Sequence, residues 1–364
     1  MDRVQHVFLV GAKSLGAYGG YETFINKLTE YHQNEKRIQY HVACKGNGEG
    51  CMDETKLEGV RRVSDSTFIY HNAQCFKIAI PEKLGPAQAI YYDLMALKKC
   101  CEIIQRDKIE HPIVYIMACR IGPFMKKYYN EIHKLGGIVY LNPDGHEWMR
   151  AKWSAPIRKY WKISEQMMVK HSDLVICDSV NIEKYIHKCY DGKGLHGANP
   201  NTTFIAYGAE TRKSLLADHD PKFENWLKEK GLKANEYYLV VGRFVPENNY
   251  ETMIREFMKI HENAYGYFHG HEVGGTNPSL LEALGCMKLN LLLDVGFNQE
   301  VAEDAALYWS KQDGSLAALV DQADQLDQGT IEEMGAKAKT RIKNAYCWEF
   351  ICDRYAEEFL REIK

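Results

Sequence analysis

His269-Gly270-His271-Glu272-Val273-Gly274-Gly275-Thr276-Asn277-Pro278-Ser279-Leu280-Leu281-Glu282-Ala283-Leu284 is the stretch on which the fold turns. An apolar run over 265–269 ends in a glycine-rich loop, and the loop closes on Asn277-Pro278-Ser279. Asn is a favoured helix N-cap and Pro fits the first helical position, so the spacing predicts a helix over 278–286. The unpaired amides of a helix N-terminus, and its dipole, attract anions such as phosphate. Glu272 stands before the loop and Glu282 one turn into the helix. Amides for a diphosphate and carboxylates for hydroxyls together suggest a sugar nucleotide as the ligand.

The same strand, loop, helix pattern repeats outward. Strand-length apolar runs lie at 6–11, 40–44, 113–118, 138–142, 174–178, 203–207, 237–242, 265–269 and 289–295. Most are uniformly apolar rather than alternating, as when both faces of a parallel sheet are covered. Helical periodicity falls between them, at 21–32, 88–106, 157–171, 250–261 and 278–286. The expected fold is therefore α/β with parallel sheets. At roughly 150 residues per domain, a chain of 364 residues makes two domains. Gly, His and Asn crowd residues 191–200, which places a boundary there. Residues 1–198 then form the first domain and 199–346 the second, with 347–364 packing back on the first.

Composition removes several classes. An aromatic content of 12% with evenly spread apolar runs excludes a disordered or fibrous chain. A net charge of −3 argues against a polycation built for nucleic acid. Eleven scattered cysteines contain no C-x-x-C pair, so they read as reduced core residues, with no metal site and no cofactor expected. The chain opens directly into a strand and has no apolar run of spanning length, so it is expected in the cytoplasm.

Three further loops carry chemistry. The first strand opens into Gly11-Ala-Lys-Ser-Leu-Gly16-Ala-Tyr-Gly19-Gly20-Tyr21-Glu22, whose glycines let backbone amides approach an anion or sugar. The dinucleotide spacing G-x-G-x-x-G is absent, and Lys45 rather than an acid ends the second strand, which argues against NAD. Asp144, His146 and Glu147 follow a buried strand, where open α/β sheets bind ligands. Arg243 follows an apolar strand and Gly242, where its fork of donors reaches a phosphate.

At these residues the chain resembles the GT-B glycosyltransferases of glycosyltransferase family 4, closest to the bacterial capsule and cell-wall rhamnosyltransferase branch. The resemblance spans nearly the whole chain. It is carried by Gly19-Gly20-Tyr21-Glu22-Thr23, by Asp144 through Trp148, by Gly242 through Asn249 and by His271 through Glu282. It implies two facing Rossmann-like domains, the second binding donor and the first acceptor. It implies Arg243 and the amides of Gly275, Thr276 and Asn277 on the donor diphosphate, with Glu282 on the ribose. It implies Glu272 or His271 near the donor sugar, Gly19 and Gly20 closing over the phosphates, and Asp144 and His146 toward the acceptor. The activity implied is metal-independent transfer with retention: rhamnose from thymidine diphosphate-rhamnose to a lipid-diphosphate-linked saccharide, in surface polysaccharide synthesis. A nucleotide-sugar epimerase and a non-catalytic nucleotide-sugar binding protein remain as alternatives.

The chain departs from the family's pattern in three ways. Asn248 stands where the family has a second diphosphate cation, a lysine. Glu272 and Glu282 are more widely spaced than the family's glutamate pair, and Gly274 takes the family's position. The second domain is short: a six-stranded Rossmann-like half has room for two further strand–helix units before residue 265. Either those units are lacking or a segment near 259–261 is missing.

Five cations, Arg150, Lys152, Arg158, Lys159 and Lys162, fall between 150 and 162 without an acid, among Trp148, Trp153, Tyr160 and Trp161. Cations attract anionic lipid headgroups and Trp and Tyr favour the interface, so this run is expected to sit peripherally on the inner face of the cell membrane. A solvated basic face or buried tryptophans is the plainer reading of the same residues.

Overall fold

The computed structural model describes residues 4–17, 19–150, 152–192, 199–210, 219–234, 237–242, 245, 248–257 and 266–363. The chain divides into two compact units, 1–206 with 351–364, and 207–350.

The first unit is built on a nine-stranded sheet. Its strands are β1 (Gln5–Val10), β2 (Ile38–Lys45), β3 (Arg61–Ser64), β4 (Thr67–Tyr70), β5 (Ala73–Ile78), β6 (Ile113–Met117), β7 (Ile138–Asn142), β8 (Leu174–Cys177) and β9 (Thr202–Phe204). The order is β3-β4-β5-β2-β1-β6-β7-β8-β9. All neighbours run parallel except the β3–β4 and β4–β5 pairs. The order reverses between β1 and β6, which is the doubly wound pattern and puts a crevice at the carboxyl ends of those strands. The sheet continues through β9, beyond the expected boundary at 198, because Val175 to Cys177 pair with Thr202 to Phe204.

Helices α1 (Gly20–Tyr31), α2 (Gln88–Asp107), α3 (Gly122–Lys134), α4 (Ala155–Lys170) and α5 (Val180–Tyr190) connect the strands. Phe8 and Val10 join Val114, Ile116, Leu141, Leu97, Met125 and Ile182 in one buried cluster. Val7 and Leu9, pointing the other way, are equally buried. On that side lie α1 and the last helix of the chain. Phe24 packs at a tilt 5.0 Å from Tyr355, Tyr140 packs 6.2 Å from Phe359, and the Tyr115 and Tyr355 hydroxyls are 3.3 Å apart. Both faces are thus covered, which is why the strands read as continuous apolar runs.

The second unit has a four-stranded sheet of β10 (Tyr238–Leu239), β11 (Gly266–His269), β12 (Asn290–Leu293) and β13 (Leu307–Trp309). All pairs are parallel and the strands lie in chain order, without a reversal among the described residues. Its helices are α6 (Pro221–Lys230), α7 (Tyr250–Phe257), α8 (Pro278–Cys286), α9 (Gly296–Ala302), α10 (Ser315–Ala323) and α11 (Gln328–Ala345), and α12 (Trp348–Leu360) closes the chain. Among the described residues the pattern is the β1, β6, β7, β8 half of the first sheet. The expectation of a missing segment at 259–261 falls outside the described residues. Trp309, Leu291, Leu293, Phe268, Leu316 and Val320 form this unit's core.

Candidate functional site

Each unit places its polar, glycine-bearing loops at the carboxyl ends of its strands. In the first unit the loop after β1 leads into α1, whose N-cap Gly19 supplies no side chain to the helix amides. Glu22 turns back and accepts the Lys13 amide at 3.0 Å. A Cβ on Gly19 would collide with the Glu22 carboxylate, so glycine is what leaves Glu22 free to reach the Lys13 amide.

Behind the loop stands Arg120, which the sequence reading missed. Its Nη1 donates to both oxygens of Asp93, at 3.2 and 3.1 Å, and to the Gly11 carbonyl at 3.3 Å. Asp93 is fully buried, and burial pushes its carboxyl up to about 6 although Arg120 holds it down. A signal was available: Arg120 follows the apolar strand β6 just as Arg243 follows its own.

The loop after β7 holds Asp144 and His146, both with left-handed backbone, φ 60° and 47°. The Asp144 amide donates to Asn142 Oδ1 at 2.8 Å, and Asp144 Oδ1 accepts the Gly145 amide at 2.8 Å. The imidazole of His146 packs at a tilt against Tyr185, 4.0 Å between ring centres, and burial lowers its pKa, which favours the neutral form. Tyr185 is itself fixed: its hydroxyl accepts from Trp148 Nε1 at 2.9 Å and donates to the buried Glu165 at 2.6 Å. Glu147 is engaged elsewhere. It pairs with Arg150 at 2.6 Å and Lys152 at 3.0 Å, and accepts from Trp153 Nε1 at 2.9 Å.

That network divides the basic stretch. Arg150 and Lys152 neutralise Glu147, while Arg158, Lys159 and Lys162 are exposed on the first half of α4. Arg158 Nε bonds the Trp148 carbonyl at 2.9 Å, and the Lys162 ammonium lies 4.4 Å from the centre of the Trp148 ring. Trp153 and Trp161 pack on each other, 6.2 Å between ring centres, and both are half-buried. Around them Met149, Ile157 and Ile163 are 45%, 41% and 43% exposed, which makes this face apolar as well as cationic.

In the second unit the loop after β11 is held by side chains. Asn249 Nδ2 donates to the Gly270 carbonyl at 2.6 Å, and His271 Nδ1 donates to Asn248 Oδ1 at 2.8 Å. Asn248, where a second cation was expected, is therefore a brace for His271. A Cβ on Gly270 would lie 2.6 Å from the Asn248 carbonyl, so only glycine permits this approach. Asn298 Nδ2 donates to the His271 carbonyl at 3.3 Å. Gly274, Gly275 and Thr276 are buried, and Asn277 caps α8 as its sequence predicts, accepting from the Ser279 amide at 3.0 Å. Glu272 pairs with Lys311 at 2.6 Å, a cation from beyond β13 that the sequence did not associate with this loop. Glu282 stands exposed on α8 between buried leucines, and partial burial raises its pKa. Arg243 lies outside the described residues.

Among the described residues no group of three or more His, Cys, Asp or Glu side chains is placed to hold a metal. The chain does contain an Asp-x-Asp triplet, Asp218-His219-Asp220, and Asp220 serves as the N-cap of α6, accepting the Lys222 amide at 2.8 Å. No described helix is long and apolar enough to cross a membrane.

This architecture is that of the GT-B glycosyltransferases. The structure is similar to sucrose-phosphate synthase from Thermosynechococcus elongatus, with TM-score 0.65, 14% identity and 98% of each chain covered. It is similar to a glycosyltransferase from Rickettsia africae, with TM-score 0.67, 12% identity and 100% of each chain covered. It is also similar to Anabaena HepE in complex with UDP-glucose, with TM-score 0.66, 11% identity, and 99% of this chain and 100% of that one covered. Residues 4–210 match the family described as a domain of unknown function, DUF1972, and the chain belongs to that family. Comparison with curated proteins finds no match.

Proposed function

We propose that this chain is a glycosyltransferase that draws a sugar from a nucleoside diphosphate held in the second unit. The loop from Gly270 to Asn277 carries the reading: a strand end, buried glycine backbone, a capped helix and a carboxylate one turn in. The diphosphate lies against the amides of Gly275, Thr276 and Asn277 and against Arg243, Glu282 accepts the ribose hydroxyls, and His271 and Glu272 face the sugar. A UDP-glucose complex of the similar Anabaena HepE supports this donor class.

The physical task is to stabilise an oxocarbenium-like sugar and a departing diphosphate, and fixed donors do that without reorganising. The resemblance to family 4 adds retention, no metal, rhamnose as the sugar and a lipid-diphosphate-linked saccharide as acceptor. Asp144 and neutral His146 then orient and polarise the acceptor hydroxyl, a role for which a neutral imidazole is the competent form. The exposed face of Arg158, Lys159, Lys162, Ile157 and Ile163 rests on anionic lipid, which brings a lipid-linked acceptor to the first unit.

A panel of nucleotide sugars, thymidine diphosphate-rhamnose and UDP-glucose among them, tests the reading by thermal shift, since a ligand of the folded state raises its melting point. The cognate donor gives the largest rise. Arg243→Ala weakens it by the ~1.5–3 kcal/mol of a charge-assisted hydrogen bond. Glu282→Gln weakens the bare nucleoside diphosphate as well. A panel with no shift for any member would refute the proposal.

A further inference from the structure

We propose that Arg120 is an anion-binding residue of the first unit, with its Nε and Nη2 edge taking an oxyanion, phosphate or carboxylate, of the acceptor. The assignment to the acceptor rests on the transferase reading above, whereas the anion site stands on geometry alone.

A guanidinium has five N–H donors in a planar fork. Arg120 commits only Nη1, to Asp93 and to the Gly11 carbonyl, and no described residue bonds its Nε or Nη2. Its side chain is 18% exposed, so it is not sealed in the core as Asp93 is. A pair made purely for stability would be two-pronged, as the Arg37–Glu35 pair on the surface is, with Nε and Nη2 both on the carboxylate.

The cost of the arrangement points the same way. Asp93 is 0% exposed, and a buried ion pair is weak as a source of stability. Here it serves to aim a cation. The backbone is aimed too: the Tyr160 hydroxyl donates to the Arg120 carbonyl at 2.7 Å. The site is where a ligand is expected, just past the carboxyl end of β6, at the point where the strand order reverses. The guanidinium lies 6.0 Å from the centre of the Tyr21 ring, in the first turn of α1, and the Asp144 carboxylate is within electrostatic reach. A hydroxyl on Asp144 and an anionic group on Arg120 describe an acceptor bearing both.

The experiment is calorimetric titration of the full chain with inorganic pyrophosphate and, separately, with malonate. All proteins carry Arg243→Gln, which removes the cation expected to bind the donor's phosphates. Arg120→Lys keeps the charge opposite Asp93 but loses the fork. The double variant Asp93→Asn with Arg120→Gln replaces the pair by neutral amides, so it guards against a folding defect from an unpaired carboxylate. The expected result is binding of one anion, weakened at least about tenfold by Arg120→Lys, with the melting point little changed, and abolished in the double variant. Which anion binds assigns phosphate or carboxylate. Equal affinity in all proteins, or no binding of either anion without these changes, overturns the site. Nucleotide-sugar shifts on the chain with native Arg243 report the donor reading separately, so either idea can fail alone.

Discussion

The two strand-end loops solve the same geometric problem in opposite ways. After β11 the chain braces itself: Asn249 and Asn298 hold carbonyls of the loop, Asn248 holds His271, and Asn277 caps α8. After β1 the helix has a glycine at its cap with no side-chain bond, and the nearby Arg120 keeps one edge uncommitted. A braced loop has little conformational entropy left to lose, which suits a ligand bound by backbone. An open one retains donors for a ligand to fill. The first unit alone also carries the exposed cationic and apolar face of α4.

The contrast breaks most visibly at that face. Replacing Arg158, Lys159 and Lys162 with Glu removes at least about 3 kcal/mol of attraction to anionic vesicles, roughly a hundredfold in partitioning. Sedimentation with vesicles at low salt measures it, and transfer to a lipid-linked acceptor falls while donor hydrolysis survives. Equal vesicle binding by both proteins would leave the face a solvated one.

Gly19→Asp sharpens the comparison at the helix itself. Its Cβ meets the Glu22 carboxylate, which must swing away from the Lys13 amide, so the melting point falls although Asp is the better N-cap by a few tenths of a kcal/mol. Gly19→Ala brings the same Cβ without the charge, so pyrophosphate affinity that falls at least about tenfold further in Asp than in Ala locates an anion at α1. Equal affinity in the two variants would mean that α1 has no anion to lose. In the braced loop, Asn277→Ala costs about 1 kcal/mol of stability, read as a lower denaturation midpoint at unchanged slope.

A pH dependence is expected at Asp93. Its carboxyl sits at about 6 in the folded protein against an ordinary 3.8. Between those values the folded chain keeps a proton that the unfolded chain has released, so this group's contribution to stability falls as pH rises through the window. Asp93→Asn removes the titration. The stability difference, variant minus wild type, therefore rises from pH 3.8 to about 6 and levels off above it. Denaturation at a series of pH values checks this, and a flat difference would place Asp93 in a more solvated setting.

Much of the frame was legible because long apolar strands and capped helices announce themselves. Residues 138–142 become β7 with the expected bounds, and Asn277-Pro278 starts α8 where capping chemistry puts it. The β3–β4–β5 arm was not legible. Its first strand is wholly exposed and its β4–β5 turn uses His71 and Asn72 at positive φ, so neither a continuous apolar run nor a glycine turn marks it. The short β13, three residues long, escaped for lack of length.

What the sequence determined by itself is local: which segments are strands and helices, and which loops end strands with glycine and polar residues. Periodicity and capping act within a few residues and need no partner. What the tertiary structure alone decided is which distant groups meet. Glu272 finds Lys311, and Asn248 braces His271. Asp93, on α2, comes to lie under Arg120, past the end of β6. Such pairings depend on strand order, and strand order is set by how the layers pack over their shared core, which no single segment encodes.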